Sequence, residues 1–140
     1  MAVQPLVTIN NLNACIAVAH LDASINWYRE VLGFEVLQRQ DFPEFAARVA
    51  FLESKGVEIE LVESRDFTPA PRPDPPKNHV LTQGISQLSF RVKNIEEIFA
   101  RVKSRSIRVA LDLVNAAPLK FKAFFIRDLE GNLIEFIERY

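Results

Sequence analysis

The sequence predicts an α+β fold built from two tandem βαβββ modules, and three observations carry that prediction. Apolar residues recur with helical spacing in two segments, 21–33 and 94–104, and with strand-like density in eight others. The order of these segments is β-α-β-β-β, twice over. Residues of the first half also reappear in the second at a near-constant offset. Asn13 matches Gln87, Val18 matches Val92 and Ile25 matches Phe99 at 74; Gly56 matches Gly131 and Glu60 matches Glu135 at 75. A fixed internal offset marks a duplicated supersecondary unit.

Each element has its own signal. A β-like run, "NACIAVAH", opens module one. In "LDASINWYREVLG", Leu21, Ile25, Tyr28 and Leu32 are spaced four, three and four apart, which gives a helix one apolar face. Gly33 follows as a C-cap, because a left-handed residue costs glycine nothing. Trp27 and Tyr28 belong to the core or an interface. Three strand-like runs come next: "FEVLQRQ", "ARVAFLES" and "VEIELVE". Module two opens with "QLSFRVKN". Its helix, "NIEEIFARVKS", has the stripe Ile95, Ile98, Phe99 and Val102, and Asn94 with Glu97 resembles a capping box. The last strands are "SIRVALDL", "KFKAFFIRD" and "NLIEFIER".

These boundaries describe a single domain over residues 1–140, with module one at about 8–65, a linker at about 66–83 and module two at about 84–140. The linker, "RDFTPAPRPDPPKNHVLTQG", carries five of the eight prolines, which remove backbone donors and fix φ. It is either a plain connection or a flap over a pocket, with Phe67, Arg72 or His79 on the ligand.

Composition excludes several classes. A net charge of −1 argues against nucleic acid as a partner, since that surface wants a basic face. No apolar run approaches the ~18 residues of a membrane helix, and the N-terminus lacks the basic and apolar regions of a signal peptide. The expected compartment is the reducing cytoplasm. The single cysteine, Cys15, reads as a small buried hydrophobe. Lys120 and Lys122 alternate with Phe121 and Ala123, so they are edge charges or, if turned inward, contacts for an anion. His20 stands where a helix cap belongs. Phe42 and Phe45, in the "DFPEF" turn, are candidates to rim a flat ligand.

Two glutamates stand out. Glu60 and its repeat partner Glu135 each sit inside an apolar run in the last strand of a module. A carboxylate there costs free energy unless it has a partner. With the repeat, the phrases "SINWYREVLGF" (Ser24 to Phe34) and "DLEGNLIE" (Asp128 to Glu135) resemble the vicinal oxygen chelate superfamily, the group of glyoxalases, bleomycin-resistance proteins and extradiol dioxygenases. The resemblance covers nearly the whole chain. It speaks for the fold and not for one reaction, because one scaffold hosts many chemistries.

The resemblance implies that the eight strands curl into a half-open barrel-like sheet with a central cleft. It also implies a divalent metal held from the first and last strands of both modules, usually by histidine and glutamate. The matching positions here are Asn13, Glu60, Gln87 and Glu135. Both glutamates are in place, and amides replace both histidines. Imidazole is the usual strong ligand for transition metals, whereas carboxylate and amide oxygen form a harder, weaker set suited to Mg²⁺ or Mn²⁺. The expectation is therefore no cofactor, with an oxygen-bound divalent metal as the alternative. An extradiol iron centre, which needs two histidines and a carboxylate, is not expected.

The functional expectation is a member of this family that binds a small organic molecule in the cleft, with Asn13, Gln87, Phe42, Phe45 and His79 as ligand contacts. The alternative is a lyase, isomerase or epimerase in which Glu60 or Glu135 is the general base. A homodimer is expected, since relatives of this kind often pair and twofold dimers are the commonest soluble oligomers.

Overall fold

A computed structural model describes residues 4–70 and 76–140. Its contacts divide the chain into two compact units, Met1–Phe67 and Thr68–Tyr140. Arg72, named above as a linker contact, lies outside the described residues.

Module one runs β1 (Ala14–Val18), α1 (Leu21–Leu32), β2 (Glu35–Phe42), β3 (Ala47–Ser54) and β4 (Val57–Ser64). Module two repeats it as β5 (Leu88–Arg91), α2 (Ile95–Ser104), β6 (Val109–Ala116), β7 (Phe121–Arg127) and β8 (Leu133–Arg139). Each module is one four-stranded mixed sheet, ordered β1-β4-β3-β2 and β5-β8-β7-β6. The first strand pairs parallel to the last, and the other pairs are antiparallel. The expected α+β class with paired βαβββ modules is what the chain adopts.

One face of each sheet packs on its helix. In module one this face carries Ile16, Ala50, Leu52, Ile59 and Leu61, which bury with Leu21, Ile25 and Tyr28 of α1. In module two Phe124, Ile126, Ile134 and Phe136 bury with Ile95 and Val102. Phe124 makes the centre of an aromatic cluster, 5.1 Å from the ring of Phe99 and 5.1 Å from that of Phe136. Gly33 ends α1 at φ 73°, and the N–H of Phe34 reaches back to the Tyr28 carbonyl, so the predicted left-handed cap is realised.

Both helix starts are closed from the last strand. The Leu21 N–H donates to Glu63 Oε2 at 2.7 Å, and the Ile95 N–H donates to Glu138 Oε2 at 3.0 Å. This corrects the capping box expected from Asn94 and Glu97. Asn94 takes a left-handed backbone (φ 60°) and makes no side-chain cap bond among the described residues. That conformation is not the extended one from which an N-cap side chain reaches its helix, so a carboxylate from β8 does the work. His20 holds the N-cap position of α1 with extended backbone.

Ion pairs gather at the first turn of each helix. Arg48 reaches Glu63 at 3.4 Å and Asp22 at 3.0 Å, and Arg39 reaches Asp22 at 2.8 Å. In module two Lys122 pairs with Glu96 in the first turn of α2. Lys122 is therefore a structural charge. Lys120 is not on a strand at all: it sits at φ 54° after a 3₁₀ turn, Ala117–Leu119, as Ala46 does (φ 49°) after Pro43–Phe45. No glycine announces either left-handed turn, so alternation carried the expected strand too far.

Candidate functional site

Because neighbours across a strand pair point to the same side, register places side chains in rows on the face opposite the helix. In module one, Cys15 pairs with Glu60 and Glu60 with Phe51. In module two, Ser89 pairs with Glu135 and Glu135 with Phe125. Each glutamate is thus flanked by a small hydroxyl or thiol residue on one side and by a phenyl ring on the other. Glu60, Glu135, Phe51 and Phe125 are all half-buried. Asn13 and Gln87 each stand one residue ahead of the first strand of their module, two residues from Cys15 and Ser89. Gln87 is tied into the Glu135 row through Ser89, and Asn13 holds the equivalent sequence position in module one.

Sequence reasoning missed Cys15, Ser89, Phe51 and Phe125. Cys15 and Ser89, like Phe51 and Phe125, stand 74 apart, one short of the 75 that separates Glu60 from Glu135, and that near-constant offset was the available signal. Cys15 is a correction. It is exposed, because alternation along β1 puts Ile16 and Val18 toward the helix and Cys15 on the other side. Partial enclosure, then the adjacent Glu60 carboxylate and a hydrogen bond to it, push the thiol's pKa up.

Module two has the denser network. The Ser89 hydroxyl donates to Glu135 Oε1 at 2.8 Å. The Gln87 amide nitrogen lies 3.4 Å from Ser89 Oγ, a long contact. At its other end Gln87 Oε1 is 2.5 Å from His79 Nε2, and His79 Nδ1 is 2.5 Å from the Pro76 carbonyl. The His79 ring also tilts against Phe125, centroids 5.8 Å apart. His79 belongs to the 3₁₀ turn Pro76–Leu81, so this part of the linker is tied to the glutamate row through Gln87. Beyond His79 opens a pocket of about 230 Å³ whose lining includes Gln83, Ser86, Arg127 and Asn132.

Phe42 and Phe45 meet at the 3₁₀ turn after β2, rings 6.5 Å apart. Phe42 pairs with Ala47, two pleats from Phe51, and so shares the Glu60 face. Phe67 is exposed at the linker start.

The chain matches the family model described as Glyoxalase/Bleomycin resistance protein/Dioxygenase superfamily over residues 8–136. It belongs to that superfamily. The chain is 27% identical over 135 residues to a lactoylglutathione lyase of Neisseria meningitidis, covering 91% of this chain and 89% of that protein. A crystal structure of a glyoxalase family protein from Enterococcus faecalis superposes with TM-score 0.73 at 28% identity, covering 95% of this chain and 98% of the other. Glyoxalase I of Leishmania major, described as trypanothione-dependent, has the same fold at 22% identity and TM-score 0.69, with 94% and 87% covered.

The superfamily often uses a divalent metal, so the residues at the matching positions have to be tested against one. An amide binds a cation through its oxygen, since its nitrogen is a donor only. The Gln87 oxygen already faces His79. Among the described residues, no three His, Cys, Asp or Glu side chains gather into a metal-holding group. The donor set does not fit the family's metal.

Proposed function

We propose that the chain binds small organic molecules against its strand faces, the one that carries Glu60 in module one and the one that carries Glu135 in module two. Asn13, Gln87 and His79 supply polar contacts, and Phe51, Phe125, Phe42 and Phe45 supply flat apolar ones. The observation that carries this reading is the Ser89–Glu135 bond within its row. A carboxylate held by a hydroxyl keeps further lone pairs for a ligand's N–H or O–H, and a phenyl ring beside it suits an adjoining apolar group. Binding by a cytoplasmic homodimer is part of the proposal.

Calorimetric titration of lactoylglutathione and a panel of small aromatic compounds tests it. A hit should lose about tenfold or more in affinity on Glu135→Gln, because a hydrogen bond to a charged group contributes roughly 1.5–3 kcal/mol. Hits whose affinity ignores both Glu60→Gln and Glu135→Gln would end the proposal. Light scattering reads the assembly: twice the 16.0 kDa of one chain is expected.

A second reading has its own support in the likeness to lactoylglutathione lyases over 91% of the chain. In it Glu60 or Glu135 is a general base, taking a proton from carbon and returning it. Interconversion of lactoylglutathione with the hemithioacetal of glutathione and a 2-oxoaldehyde, abolished by Glu→Gln at either position, would put this reading first.

A further inference from the structure

We infer that His79 is a positioning residue that decides what module two can receive: by holding the amide of Gln87 it keeps this group for hydrogen bonding to organic ligands and closes it to divalent cations. The argument starts from the imidazole, which is gripped on both sides. Its Nδ1 faces the Pro76 carbonyl of its own turn at 2.5 Å, and its Nε2 faces Gln87 Oε1 at 2.5 Å. The ring's contact with Phe125 fixes its plane as well. Imidazole and amide are eight positions apart in sequence and meet because the 3₁₀ turn folds the linker back onto the start of β5.

The consequence falls on the amide oxygen. As it stands, that oxygen is covered by His79. The amide's NH₂ points the other way, toward the Ser89 hydroxyl oxygen at 3.4 Å, and Ser89 donates its own proton to Glu135. In this setting a cation reaches the oxygen only by breaking the tie to the linker. Glu135 alone cannot hold a hard cation well, since Mg²⁺ and Mn²⁺ sites draw on one or two carboxylates plus further oxygens in octahedral array. The amide's other end and the Ser89–Glu135 bond remain in the row, where an organic oxygen or nitrogen finds both donor and acceptor. The inference rests on the proposed ligand-binding role of this face, but its test needs no organic ligand, so the two fail separately.

Titrate Mn²⁺ into wild type, His79→Ala and His79→Phe, each also with Gln87→Ala, and read binding by calorimetry and by the manganese paramagnetic signal. The expected result is weak, millimolar binding by wild type. His79→Ala should bind at least tenfold more tightly, and Gln87→Ala should erase that gain. His79→Phe keeps a ring against Phe125 without its nitrogens, so it should behave like His79→Ala if the grip on Gln87 matters and like wild type if only packing does. Weaker Mn²⁺ binding in His79→Ala would make the imidazole a cation ligand, and unchanged binding would make the grip irrelevant; each overturns the inference. Should the variants fail to fold, wild type still decides. Millimolar Mg²⁺ must leave the chemical shifts of the Gln87 side-chain NH₂ unchanged, and a shift confined to that pair refutes the closure.

Discussion

In module one the large buried ring is on the helix, at Tyr28, and the matching strand position inside the sheet is Ala50. In module two the helix has Val102 and the strand has Phe124. Each pair stands at the same offset of 74, so bulk has moved from helix to sheet while the total stays similar. The ion clusters differ in the same spirit. Arg48 spreads a planar fork over Glu63, Asp22 and Asp41, whereas Lys122 is a compact charge paired with Glu96. The functional faces diverge furthest. Asn13 is exposed ahead of β1, while Gln87 is gripped by the linker. The lesson is that the duplicated unit holds on to filled volume, capped helices and a glutamate in the last strand, and leaves the residues that meet them free to change.

The strongest way to break the comparison is to empty the strand side of module two. Phe124→Ala should cost about 3–5 kcal/mol in chemical denaturation, the usual range for a buried phenyl. The reciprocal insertion, Ala50→Phe, should cost roughly 1–3 kcal/mol by overpacking. Adding Tyr28→Val to it should recover part of that loss. If the double variant is no more stable than Ala50→Phe, the exchange of bulk between helix and sheet is not real.

Next in size is the turn before β8. Module one crosses with a two-residue turn, Lys55 and Gly56, both at positive φ (48° and 84°). Module two uses a longer loop organised by buried Asp128, whose Oδ1 accepts the N–H groups of Glu130 and Asn132 at 3.0 and 2.8 Å and whose Oδ2 accepts from the Asn132 amide at 2.9 Å. Asp128→Ala should therefore destabilise by about 1–3 kcal/mol, the cost of orphaning such donors.

Smaller again are the helix closures. Glu63→Ala and Glu138→Ala should each cost about 0.5–2 kcal/mol, like other lost caps. Acid should weaken the same region. Hydrogen bonds from Arg48 first and Arg39 second hold the Asp22 carboxyl below its usual range, and Lys122 does the same for Glu96. A carboxylate with a lowered folded pKa stabilises above its unfolded pKa, and that contribution is lost as pH falls through the folded value. So stability should decline below about pH 4, and Asp22→Asn with Glu96→Gln should flatten that decline.

The smallest effect on stability belongs to Cys15→Ser, which copies Ser89 into module one: within about 0.5 kcal/mol. The informative reading there is chemical. With its pKa raised, Cys15 should alkylate more slowly at neutral pH than a free thiol, and Glu60→Gln should speed it. Equal rates in the two proteins would remove Glu60 from the thiol's surroundings.

Much of the fold was legible because periodicity and the internal repeat agree: alternation fixed the strands and the Leu21–Ile25–Tyr28 stripe fixed a helix. The cap on α2 was not legible, because its carboxylate comes from a residue 43 positions away. The left-handed turns at Ala46 and Lys120 were hidden because neither residue advertises that conformation. At the site, the glutamate positions could be read from their setting in apolar strands. Cys15 and Ser89 could not be placed until strand register was known, since a shift of one residue sends a side chain to the other face. His79 was a candidate by residue type, but its grip on Gln87 depends on a 3₁₀ turn in proline-rich sequence that carries no periodic signal.

The long reach of the two helix closures sets a timetable for synthesis. The first turn of α1 waits for a carboxylate 42 residues downstream, and that of α2 waits for one 43 residues downstream. Each closure falls inside its own module, so α1 can be secured once Glu63 has left the ribosome, before any of module two is required. At typical elongation rates, about 5–20 residues per second, the first module has seconds to settle while the second is still being made. A nascent chain released just before Glu63 should leave α1 open to proteolysis, and one released after β4 should protect it.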